Sequence, residues 1–133
     1  MSQIRDLLGG KRTEDSSGLI FRWEPASVTV EFLNGRKQLI DYRLEGESYI
    51  FTSRIARRAV VERVGRERVA MEILLRNRVS DVVAFILNDA GAIEGRIEQR
   101  ASTLQARELV FYLGLLAREA DRFEYLLTGS DHH

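Results

Sequence analysis

The 133-residue chain has no cysteine, one proline and two histidines. Without thiols there can be no disulfide, no thiolate metal ligand and no cysteine nucleophile. A chain built that way suits a reducing compartment. Both histidines, His132 and His133, stand at the extreme C-terminal end, and residues 130–133 are expected to form a disordered tail. No interior imidazole is left for general acid–base work or metal ligation. No metal, no cofactor and no catalytic residue is therefore expected. Long hydrophobic runs are missing as well. The stretch 82–87 is typical of the longest, against the roughly 18–20 apolar residues needed to cross a bilayer. Residues 1–8 carry Arg5 and Asp6 and lack the apolar centre of a signal peptide. A cytoplasmic protein without a membrane partner is the expectation.

Excess charge of one sign is absent too: twenty basic residues balance twenty acidic ones. No global field draws the chain to nucleic acid or to an anionic surface. Arginine outnumbers lysine eighteen to two, and eight of the arginines fall between residues 54 and 78 against three acids, Glu62, Glu67 and Glu72. Arginine suits interfaces as well as phosphates, and a high-GC codon bias also enriches it. The arginine-rich segment 54–78 supports an alternative reading as a nucleic-acid-binding or regulatory element. Interleaved aromatics are lacking there, and nucleic acid is the weaker expectation.

The length suits one domain with one core, residues 1–133. The chain is 44% hydrophobic, normal for a folded protein. Residues 3–8 could form a turn or two of helix, and 9–18 read as a flexible polar connector. The run 19–23 before Pro25 reads as an edge strand. Residues 27–33 alternate, with Val28, Val30 and Phe32 on one side. Asn34-Gly35 then signals a tight hairpin. Strands follow at 38–44 (Ile40, Tyr42, Leu44 inward) and 49–55 (Tyr49, Phe51, Ile55 inward), making a three-strand meander. Residues 56–66 have no clear period. A helix is expected at 66–77, with Val69, Ile73 and Arg76 sharing a face. The apolar run 82–88 reads as a central strand, and 93–98 as its hairpin partner.

Ser102 and Gln105 look like a capping box opening a long helix that ends at Thr128 before Gly129. Its sheet-facing stripe is Leu109, Tyr112 or Leu113, Leu116, Ala120, Phe123 and Leu127. Val110, Phe111, Leu115 and Leu126 add apolar surface outside that stripe. Either a partner subunit covers the surplus or the domain wraps the helix on two sides. The fold class is thus α+β: a five-stranded antiparallel sheet, meander plus hairpin, with helices in the order α-βββ-α-ββ-α.

No catalytic constellation emerges. The acid pairs Glu94/Glu98 and Asp121/Glu124 fall on faces read as solvated. Gly91 to Gly95 lacks the lysine and hydroxyl of a phosphate loop, and Ser53 has no nucleophile elbow.

The element order, the hairpin VEFLNGRKQLIDYRL (30–44) with YIFTSRI (49–55), the passage ILLRNRVSDVVAFILNDAGAIEGRI (73–97) and the closing LAREADRFEYLLTG (116–129) together resemble the type III secretion chaperone-like fold. The likeness is to the YbjN-like family of bacterial proteins in particular. The resemblance implies a cytoplasmic, homodimeric, non-enzymatic module that binds protein or peptide partners. It implies that the middle helix helps form the dimer, which points to Val69, Ala70, Met71, Ile73 and Leu74.

Overall fold

The structure is a computed structural model that describes residues 12–129. The expected N-terminal helix at 3–8, the first part of the connector and the C-terminal tail lie outside the described residues. The described chain is α+β, with a seven-stranded antiparallel sheet and three helices. In chain order the elements are β1 (Arg12–Glu14), β2 (Ile20–Trp23), β3 (Ser27–Glu31), β4 (Lys37–Glu45), β5 (Ser48–Ala56), α1 (Arg58–Val64), α2 (Arg66–Val79), β6 (Ala84–Leu87), β7 (Ile93–Arg100) and α3 (Ala106–Thr128). The sheet order is β1-β2-β3-β4-β5-β7-β6. The only break in sequence order is at β5–β7, where α1, α2 and β6 are inserted.

The sheet has two more strands than the five expected: β2, the run read as an edge strand outside that count, and β1, which lies inside what reads as a polar connector. Its three residues, Arg12, Thr13 and Glu14, carry no apolar period, and only pairing with β2 makes them a strand. The Trp23 indole N–H donates to the Thr13 hydroxyl at 2.9 Å and ties β1 to the sheet. β2 is consequently an interior strand, not an edge. Pro25 sits in the β2–β3 link, where its missing N–H interrupts no pairing. The Asn34-Gly35 hairpin is a three-residue loop, Leu33 to Gly35, instead of a two-residue one. Gly35 takes the positive φ of 87° that this loop needs.

The run 82–88 is likewise misread as central: β6 is the far edge of the sheet. Its apolarity comes from helices covering one face. Val83 and Phe85 are buried, while Ala84 and Leu87 are exposed. The edge itself is closed from α2. The Asn77 side chain accepts the Phe85 N–H at 2.7 Å and donates to the Phe85 carbonyl at 2.9 Å, and the Ser80 hydroxyl accepts the Val83 N–H at 3.2 Å. With both outward backbone groups of Phe85 taken by Asn77, this part of the edge is a poorer template for another chain.

Residues 56–66 resolve into α1 and a break at Gly65, whose φ of 106° no β-carbon residue adopts comfortably. α3 starts three residues later than the Ser102 reading. Leu104 is buried, and the Ala101 N–H bonds the Glu47 carbonyl at 2.8 Å, so the chain is still turning off the sheet there. The cap is instead Gln105, whose N–H donates to the Glu108 carboxylate at 3.1 Å. The end at Gly129 is as expected, in the left-handed region.

α3 lies across β4, β5 and β7. Leu109, Leu113, Leu116, Ala120, Phe123 and Leu127 face Ile40, Phe51, Ile55, Ile93 and Ile97, all buried. Each leucine, isoleucine and phenylalanine among them contributes about 1.5–3 kcal/mol by leaving water. Phe123 meets Phe85 edge to face at 5.1 Å between centroids. Gly95 permits the approach: a β-carbon there would lie 2.9 Å from Leu116 Cδ1 and 3.4 Å from the Phe85 ring. Gly95→Val is expected to lower stability by about 1–3 kcal/mol in urea unfolding. Adding Leu116→Ala should recover part of that loss, whereas strictly additive losses would show that this contact does not set the helix–sheet distance. Asn77→Ala should cost about 1–3 kcal/mol and speed hydrogen exchange at Phe85 selectively.

Candidate functional site

α2 must pack on β6 and also present a second face. Val69 is fully buried, and Ile73 and Arg76 are half-buried on the same side. The Arg76 guanidinium lies 5.9 Å from the Phe123 ring centroid, within cation–π range. On the opposite side Met71, Leu74, Leu75 and Val79 are 56%, 57%, 46% and 78% exposed. At 100° per residue these four fall within one half of the helix, so they form a continuous apolar strip. Ala70 borders it and is also exposed.

Of the α2 residues implied by the resemblance, then, Ala70, Met71 and Leu74 face outward. Val69 belongs to the interior and cannot meet a partner, and Ile73 packs partly on the core. Leu75 and Val79 belong to the strip but were missed. Leu75 sits four residues after Met71 and Val79 four after Leu75, a spacing visible in the sequence once the inward face is fixed. The surplus on α3 divides as well. Val110 and Leu115 pack against the domain's own core, while Phe111 and Leu126 are exposed at 64% and 38%.

A cleft of about 670 Å³ opens between the start of β4, the end of β5, α1 and the last turns of α3. Lys37, Arg54, Arg57 and Arg63 line it, with Leu39, Ile55 and Val60 as its apolar wall. At its floor is a buried polar chain. The Ser53 hydroxyl donates at 3.1 Å to the Gln38 amide oxygen, and the Gln38 amide N–H donates at 2.8 Å to Glu124. Glu124 is only 8% exposed, which corrects its reading as a solvated acid. Its neighbour Asp121 is half-buried and ion-paired with Arg36. Glu124 was misjudged because α3 alone puts it at the margin of the apolar stripe. The missed signal lies on β4, where the inward alternation of Ile40 and Tyr42 extends back to Gln38, a polar residue at an inward position. Leu44, at the other end of that alternation, runs past the helix and is 53% exposed.

Burial pushes the Glu124 carboxyl up to about 7, and the Asp121 charge adds to this; the Gln38 hydrogen bond and Arg36 offset only part of it. Beside the middle of α3, Asp15 behaves in the reverse way. Burial raises its carboxyl, but hydrogen bonds from Ser17 and the Leu19 N–H, together with Arg118, outweigh burial and hold it below its usual value. That carboxylate fixes the β1–β2 turn against α3, with Arg118 at 3.7 Å.

The arginines of 54–78 do not form one face. Arg54, Arg57 and Arg63 line the cleft, Arg58 pairs with Glu62 at 2.9 Å, and Arg76 covers Phe123. Among the described residues no group of three or more His, Asp or Glu side chains is arranged to hold a metal ion. Among them, too, no helix is long and apolar enough to cross a membrane.

No protein-family model matches the chain, and no curated protein matches it in sequence. Solved structures do match in fold. A chain of the ExsC–ExsE complex superposes with a TM-score of 0.60 at 15% identity, over 95% of this chain and 94% of that one. A chain of the heterodimeric ExoU–SpcU complex, from the type III secretion system of Pseudomonas aeruginosa, gives 0.57 at 21% identity over 79% and 85%. A chain of the HopA1–SchA chaperone–effector complex gives 0.51 at 8% identity over 97% and 89%. The chain therefore shares its fold with chains of these complexes.

A carboxylate whose folded-state pKa lies above its unfolded value makes the protein bind more protons when folded. Its stabilising contribution is complete below pH about 4.5, the ordinary value, and is lost as pH rises through about 7. Glu124→Gln removes this dependence. The difference in unfolding free energy between variant and wild type should shift in the variant's favour by roughly 1–3 kcal/mol from pH 4.5 to pH 8, cleft water screening part of the full effect. A pH-independent difference would show that Glu124 ionises in the folded protein as it does in water.

Proposed function

We propose that this protein is a non-enzymatic, protein-binding module of the secretion-chaperone kind, of the YbjN-like type, working in the cytoplasm as a homodimer. The outward strip of α2 carries the reading. Four large apolar side chains exposed side by side on a short helix are costly in water, and a second copy of the same strip is the simplest cover, since a two-fold axis needs only one self-complementary patch. Charged residues fringe the strip: Glu67 and Arg68 at its start and Arg78 at its end, all exposed. An antiparallel pairing of two α2 helices would set Glu67 of each copy towards Arg78 of the other.

The structures that match in fold come from complexes of two different proteins, two of them named as heterodimeric or chaperone–effector. That supports a protein partner for this chain as well. Extended client segments bind such modules by covering apolar surface and by adding strands. On β6 the Asn77 side chain already holds the Phe85 N–H and carbonyl, so a strand added there would have to displace it.

Multi-angle light scattering should give twice the 15.2 kDa of one chain for the wild type. Leu74→Arg should give the monomer mass, with circular dichroism unchanged because Leu74 lies outside the core. A wild type that stays monomeric at high micromolar concentration would overturn the homodimer, and a dimer indifferent to Leu74→Arg would place the interface elsewhere.

A further inference from the structure

We propose that the cleft between β4, β5, α1 and α3 is a recognition site for an acidic segment of a protein client, holding a side-chain carboxylate of the client among Lys37, Arg54, Arg57 and Arg63 with a neighbouring apolar side chain against Leu39 and Val60. The proposal rests on the protein-binding reading and names the client chemistry that reading leaves open.

Charge complementarity is the first support. Four cationic side chains from three parts of the chain (β4, β5 with the residue that follows it, and α1) line one cleft, and the single acid among the lining residues is Glu124 at its floor. Among the described residues none of the four cations is ion-paired, unlike Arg58, which faces Glu62 one turn along α1. In a chain with twenty basic and twenty acidic residues, four cations lining one opening against a single lining acid are a local excess that the net charge hides, with Glu31 and Glu94 opposite Lys37 and Arg54 in the strand register outside the lining. Three are arginines, whose planar donors grip a carboxylate in bidentate fashion.

The second support is what the cleft is made of. Its volume, about 670 Å³, lies within the usual range for ligand sites. Ile55, Ala56, Val60 and Leu39 make part of the lining apolar, which suits a segment mixing acidic and apolar side chains. A free phosphate would favour a tight cradle of backbone N–H groups, whereas the cations here are long, exposed side chains spread around an open rim. A nucleic-acid strand would favour aromatic stacking surfaces, and the lining contains no aromatic residue. None of the lining residues belongs to α2, so the cleft and the strip are separate surfaces.

The floor supplies a third point. Gln38 is buried, its amide oxygen taken by Ser53 and its amide N–H by Glu124. The carboxyl at the bottom is thereby held inside by protein donors, away from the rim where the cations meet solvent.

The test is fluorescence anisotropy of the full-length protein with a labelled extended peptide of alternating leucine and glutamate, compared with the same peptide carrying glutamine for glutamate. The glutamate peptide should bind at least about ten-fold more tightly, and the gap should narrow as salt rises from about 0.05 to 0.3 M. Arg57→Glu with Arg63→Glu should remove at least about ten-fold of the affinity, and the milder pair Arg57→Gln with Arg63→Gln should fall between. All four substitutions are at exposed positions, and unchanged circular dichroism would confirm folding. Equal binding of the two peptides, or variants that lose nothing, overturns acid recognition while leaving peptide binding intact. Failure of both peptides, or binding of inorganic phosphate or a labelled oligonucleotide in their place, overturns the proposal as well. Light scattering on the same samples reports the dimer separately, so failure of the α2 reading is distinguishable.

Discussion

Everything else in this molecule hangs from the contact between α3 and the inner face of the sheet. A 23-residue helix lays one stripe across three strands, and it sits so close that a β-carbon at Gly95 would force Leu116 to shift. That closeness is what buries Phe85 and Phe123 against each other. It also determines what α3 meets along its length. The middle of the helix carries Gly114 and Arg118 under the β1–β2 turn, and its C-terminal part brings Glu124 down over Gln38. Close-packed interiors transmit such constraints because they have little free volume to absorb them.

The insertion between β5 and β7 solves a different problem. A sheet edge at β6 would be open to pairing with other chains, and α2 closes it with the Asn77 amide and the Ser80 hydroxyl. Holding that position uses the inward side of α2, with Val69 in the core and Arg76 over Phe123. The outward side, free of any role within the domain, carries Met71, Leu74, Leu75 and Val79. These four side chains are left outside the domain's own core on a helix that otherwise carries many charges, and this exposed apolar strip is the physical basis for assigning that side to a partner.

The two candidate surfaces are chemically unlike. The α2 strip is apolar with charges at its ends, the composition of an interface that forms by burying area. The cleft is cationic with an apolar wall, and suits selective recognition more than bulk burial. A domain with both can hold a second copy of itself through one and discriminate among other proteins through the other. The fold shared with chains of secretion-system complexes is compatible with such a division, although a fold alone assigns no function.

Local rules written in the sequence settled a good deal by themselves. Period-two alternation located β3, β4, β5 and β7, because each lays alternate side chains on the core. The apolar stripe and Gly129 located α3, and the fold class followed. Tertiary structure decided whatever depends on a neighbour that is remote in sequence. β1 is a strand only because β2 pairs with it; β6 is an edge only because nothing follows it in the sheet. Val69 left the candidate surface, and Leu75 and Val79 joined it, once β6 fixed which side of α2 faces in. Glu124 reads as one more charge on a helix until Gln38, 86 residues earlier in the chain, closes over it. Three of the cleft's four cations stand in the arginine-rich segment 54–78, but only the fold brings Lys37 of β4 beside them and sets the end of α3 against the same opening. Periodicity reports which face of an element is buried; it cannot report what buries it, and both candidate sites are defined by that.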